Sequence, residues 1–162
     1  MNANSRTPVG AERFLAAAGK LAAKFSWRAR KFEREGEVVL VALTETDSFF
    51  DRFVWIYDTE RSAVRCMLAS KEVVPLKRLP AILEACARIN EGLAFGCLEY
   101  SFSQRILVFR DSSGLHWEHL DEIVTSTTSR VLSLGRRYAP AIQATIRGAK
   151  PDEAVAAADV SK

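Results

Sequence analysis

PLKRLPAILEACARINEGLAFGCLEYSFSQRILVFR, residues 75–110, changes its hydrophobic period in mid-course. Leu79, Ile82, Leu83, Cys86 and Ile89 recur at the three- and four-residue spacing of one helix face. Pro80 is tolerated in the first turn of such a helix, where its missing N–H would have no intrahelical partner. The spacing predicts a helix that stops at Asn90-Glu91-Gly92, with Gly92 taking the left-handed backbone that ends many helices. Beyond it, Leu98, Tyr100 and Phe102 alternate with Cys97, Glu99 and Ser101, and Ile106 to Phe109 returns after Ser103-Gln104. Alternation of this kind is the period of a strand, so a hairpin follows the helix.

Towards the N-terminus, Pro75 closes one of four earlier strands. Trp27 to Arg34 and Val38 to Thr44 flank the turn Glu35-Gly36, and Phe53 to Tyr57 and Ala63 to Ala69 flank Asp58 to Ser62. Before them, Thr7-Pro8 supplies a cap and a first helical residue, and Phe14, Leu15, Ala18, Leu21, Ala22 and Phe25 mark one apolar helix face. Towards the C-terminus, Leu120, Ile123, Val124, Thr127, Val131, Leu134, Tyr138, Ile142 and Ile146 describe a long helix from about His116 to Arg147. Gly135 and Pro140 predict a kink or short break within it, and Thr125 to Ser129 lowers its propensity. The expected fold is α+β, an antiparallel sheet with three packed helices in the order α-ββββ-α-ββ-α. Residues 1–6 are expected to be mobile, 7–147 to form a single domain and 148–162 to be a flexible tail without an amphipathic face.

A chain of 162 residues fits one core, and 48% hydrophobic with 27% charged residues is an ordinary globular composition. The longest unbroken apolar run, Val38 to Leu43, is far shorter than the roughly 20 residues of a membrane span, and the N-terminus shows no signal-peptide core. A cytoplasmic protein is expected. Cys66, Cys86 and Cys97 are odd in number, lie within apolar patterns and have no metal-ligand spacing, so they read as reduced core residues. The net charge of +3 is dispersed among 20 acidic residues, which does not point to nucleic acid as the partner.

The segment from Pro75 through the helix Leu79 to Ile89 into Asn90, Leu93 and Gly96, with Glu99 beyond, resembles the central Pro…helix…Asn-x-x-Leu-x-x-Gly segment of the YbjN family. Tyr138-Ala139-Pro140-Ala141-Ile142 is similar to its C-terminal Tyr-x-Pro-x-aliphatic signature. That family is described as bacterial sensory transduction regulators with a fold like that of type III secretion chaperones. The resemblance spans roughly residues 10 to 147 and implies a non-enzymatic module that binds another protein, often as a homodimer. The secretion chaperones are generally acidic whereas this chain is basic, which does not favour an export role.

Chemistry is not written in motifs here: there is no GxSxG, no HExxH and no glycine-rich phosphate loop, so no enzyme, metal or cofactor is expected. His116 and His119 lie three apart beside Glu118, Asp121 and Glu122, a spacing that can place two imidazoles on one helix face, but no third ligand stands at motif spacing and the stretch reads as the polar first turn of the last helix. Arg28, Arg30, Lys31 and Arg34, interleaved with Trp27 and Phe32, form either a solvated edge strand or a basic surface for an anion or a nucleic acid. Asn90, Gly96, Tyr138 and Pro140 read as structural.

Six strands at about 4.8 Å spacing make a sheet roughly 29 Å across, which needs about three helices of 10 Å width on each face. Three helices cover one face only. Yet Phe53, Trp55 and Tyr57 alternate with Val54 and Ile56, so the central strand is apolar on both faces. A second subunit or a client protein is expected to cover the second face, with Phe53, Trp55 and Tyr57 as interaction candidates and homodimerisation as the first choice.

Overall fold

The computed structural model describes residues 10–34, 36–44 and 49–160. Helix α1 (Ala11–Lys24) starts directly after Gly10, so the Thr7-Pro8 start lies outside the described residues. Gly10 has φ +87°, and a Cβ there would come within 1.9 Å of the Trp117 ring, so both backbone and space require glycine. Strands β1 (Arg28–Arg34), β2 (Glu37–Leu43), β3 (Phe50–Asp58) and β4 (Ala63–Ser70) follow as an antiparallel meander. Helix α2 (Leu79–Glu91) then crosses to β5 (Cys97–Ser101), and β6 (Ile106–Gly114) returns between β5 and β4. The sheet order is therefore β1-β2-β3-β4-β6-β5, antiparallel throughout. The chain ends in α3 (Leu120–Arg147) and α4 (Pro151–Val160).

The α+β class and antiparallel sheet are those expected, with one more helix. The segment expected to be a flexible tail folds as α4 and packs on α2 and α3, burying Ala154, Val155 and Ala158. Its apolar stripe consists of small side chains, which carry little hydropathy signal but let helices approach closely. Arg137 Nη2 donates to Asp159 Oδ1 at 2.7 Å and the Tyr138 hydroxyl donates to the same oxygen at 2.8 Å, tying α4 to α3.

Helix α3 runs without a break for 28 residues through Pro140. One missing donor does not interrupt a helix held along its length by packing. Gly135 belongs to that packing: a Cβ would meet Leu68 Cδ2 at 2.3 Å, so glycine lets α3 lie close against β4. Gly92 is right-handed (φ −90°), contrary to expectation. The left-handed residue is Gly96, φ +69°, where a Cβ would stand 2.8 Å from the Arg110 carbonyl oxygen.

Candidate protein-binding surface

Strand register divides the sheet into two faces. Val38, Leu40 and Ala42 of β2 lie with Phe53, Trp55 and Tyr57 of β3, Val64, Cys66 and Leu68 of β4, and Leu107 and Phe109 of β6. All are buried in one core with residues of all four helices. Phe53, Trp55 and Tyr57 are 0%, 0% and 4% exposed and cannot meet a partner, which corrects their reading as interaction residues. Trp55 also donates its indole N–H to Thr128 Oγ1 at 2.8 Å, and Thr128 in turn donates to the Val124 carbonyl. The low-propensity stretch of α3 thus supplies the hydroxyl that a buried tryptophan requires. Both sets of β3 are apolar, but the aromatic set buries more area, and that difference was the available signal for which one faces the helices.

The opposite face carries Val39, Val41 and Leu43 of β2, Val54 and Ile56 of β3, Met67 and Ala69 of β4, and Ile106 and Val108 of β6. Its buried cluster, Ala69, Ile106 and Val108 with Met67 against it, includes no helix residue. Val39, Ile56, Ala69, Ile106 and Val108 are shielded to 6–7% exposure, Val41, Val54 and Met67 are half-buried, and Leu43 is 60% exposed. The surplus of apolar surface is therefore smaller than the covering estimate implies and lies towards β1 and β2.

Alternation on β1 splits the basic candidates. Arg28, Arg30, Phe32 and Arg34 stand opposite Leu43, Val41, Val39 and Glu37 on the uncovered face, whereas Lys31 stands opposite Leu40 on the other. Lys31 Nζ is 2.6 Å from Glu33 Oε1, but Arg28, Arg30 and Arg34, and Arg52 of β3, form no ion pair among the described residues. The other cations of this face are matched: Arg65 lies 3.6 Å from Glu37 and 3.4 Å from Asp58, and Arg110 lies 2.6 Å from Glu99. Phe32 is 51% exposed.

The two sheet edges differ. On β5, Asn90 Nδ2 donates to the Leu98 carbonyl at 3.0 Å and the Leu98 N–H donates to Asn90 Oδ1 at 2.7 Å. The carboxamide acts as a strand partner one residue long. On β1, every residue is exposed and the outer backbone groups have no described neighbour. Gly96 serves close backbone approach, as its residue type suggests, and Tyr138 stacks on Phe109 with centroids 6.3 Å apart. Pro140 is an exposed residue inside α3.

His119 Nδ1 lies 3.4 Å from Glu122, and among the described residues no three potential ligands gather for a metal ion. Cys66 and Cys86 are buried, which pushes each thiol up to about 12, while Cys97 is half-buried on the uncovered face. A cleft of about 130 Å³ opens between Phe25, Trp27, Phe50, Leu68 and Leu132, with Arg136 at its lining. Among the described residues no helix is long and apolar enough to cross a membrane. None of the protein-family models, curated proteins or solved structures compared with the chain matches it.

Proposed function

We propose that this protein is a non-enzymatic, chaperone-like or regulatory protein-binding module of the kind the YbjN resemblance implies, acting in bacterial signal transduction from the cytoplasm. One observation carries the reading. All four described helices lie on one sheet face, while the other presents Val41, Val54 and Met67 half-buried beside exposed Leu43 and Phe32. Apolar residues on a face without helical cover suit a protein surface, either a second copy or a client. Catalysis, a metal and a cofactor have no part in this reading.

Light scattering at micromolar concentration, with titration of an apolar dye, tests it. The expected result is either a dimer or a dye-binding monomer, and Val54→Lys abolishes whichever is seen. A monomer that binds no dye overturns the proposal.

The unmatched arginines Arg28, Arg30, Arg34 and Arg52 support a second reading, an anion- or nucleic-acid-binding module. Steeply salt-dependent binding to generic single strands would favour it, and no binding at low salt would remove it.

A further inference from the structure

We infer that the partner joins this protein as an added β-strand along β1, and that the joining segment is acidic. The inference rests on the protein-binding reading and names the site and chemistry of the partner. Strand addition needs an edge whose backbone N–H and C=O groups are unoccupied. Of the two edges, β5 has both groups of Leu98 occupied by the Asn90 carboxamide, whereas β1 is open over seven exposed residues.

Side chains then select the occupant. On the uncovered face, a strand added to β1 would have Arg28, Arg30, Phe32 and Arg34 as its cross-strand neighbours. None of the three guanidinium groups forms an ion pair among the described residues: Glu37, the residue opposite Arg34, is engaged by Arg65 at 3.6 Å, and Arg28 and Arg30 stand opposite Leu43 and Val41. Directly opposed unlike charges stabilise a strand pair whereas like charges oppose it. The complementary antiparallel segment reads, from its N-terminus, acidic-x-apolar-x-acidic-x-acidic, set opposite Arg34, Phe32, Arg30 and Arg28. On the other face Lys31 is already paired with Glu33 and asks for no further charge.

A second copy fits this edge poorly. Two-fold antiparallel pairing of β1 with itself sets Arg28 against Arg34 when centred on Lys31, Arg30 against itself when centred on Arg30, and Arg30 against Arg34 when centred on Phe32. Each register places guanidinium groups in direct opposition, so charge favours a client over self-association.

The test uses the full chain and a fluorescein-labelled peptide whose core is Glu-Thr-Val-Thr-Glu-Thr-Glu, titrated by anisotropy at low salt, with hydrogen exchange to locate it. The expected result is binding that protects the amides of β1 and weakens about tenfold or more when lysine replaces each glutamate or when Arg28→Glu, Arg30→Glu and Arg34→Glu are combined. Proline at the fourth core position, which keeps the charge but removes strand geometry, is expected to abolish it. Retained secondary structure of the triple variant is checked by circular dichroism, and the peptide variants report independently of it. Equal binding of the lysine and proline peptides, or protection elsewhere than β1, overturns the inference. So do binding of oligothymidylate in place of the acidic peptide, and a dimer that buries β1. In these cases a dye-binding face lost in Val54→Lys leaves the protein-binding reading standing, so the two failures are told apart.

Discussion

The carboxamide of Asn90 occupies both backbone hydrogen-bonding groups of Leu98 on edge strand β5. Asn90→Ala leaves both to water and is expected to lower the unfolding free energy by about 1–3 kcal/mol, read from urea denaturation. Asn90 and Gly96 were legible in the sequence as structural residues, because an amide at a helix end and a glycine before a strand have few other uses. Their partners, Leu98 and the Arg110 carbonyl, were not, since strand pairing is set by tertiary contact. Asp58 makes a second prediction. The Arg61 backbone N–H at 3.0 Å and its guanidinium at 2.7 Å hold the carboxyl below its ordinary range, with Arg65 contributing less. A folded-state value below the unfolded one means stability that is present at neutral pH and lost as pH falls through the carboxylate range. Asp58→Asn is expected to flatten the acid limb of a stability-against-pH curve, as followed by thermal unfolding.

At the scale of elements, helix α3 shows how a sequence can argue against itself and still fold. Gly135, Pro140 and Thr125 to Ser129 all disfavour a helix, yet 28 residues are helical, and the buried exceptions among them answer a neighbour. Thr128 serves Trp55, Gly135 admits Leu68, and Thr127 hydrogen-bonds Ser113 Oγ at 3.0 Å. Gly135→Ala therefore separates propensity from packing. Alanine favours an isolated helix by about 1 kcal/mol, but here the added methyl meets buried Leu68, and overpacking costs about 1–3 kcal/mol. A net loss of stability in urea is the expected outcome. The eight elements marked by strong periodicity, from the first amphipathic helix to the hairpin after Asn90, were legible. Helix α4 was not, because Ala154, Val155 and Ala158 form a stripe too small to register as amphipathic.

For the whole molecule, the two faces of one sheet differ in what they tolerate. Phe53→Ala empties a site sealed under helices and is expected to cost about 3–5 kcal/mol, whereas Val54→Lys, one residue on, lets its ammonium reach water and is expected to cost well under half as much. Thermal unfolding of the pair checks the division directly. The sequence supports two apolar sets on β3, with the larger area of the aromatic set as the one pointer to the helix-covered face, and the interaction residues were nonetheless placed on the wrong set. Four basic residues were likewise read as a group, although the pleat sends Lys31 away from Arg28, Arg30 and Arg34. Periodicity reveals that a strand has two sides; only its neighbours decide which side is inside.

With both backbone groups of Leu98 held by Asn90, the β5 margin is interrupted at one residue, whereas the β1 margin lies open along its length among the described residues. Such a sheet has two unequal margins. A union made through β1 meets an uninterrupted ladder of backbone groups, while one made through β5 must forgo the pair at Leu98, so the inequality of the margins sets which end of the sheet is joined first.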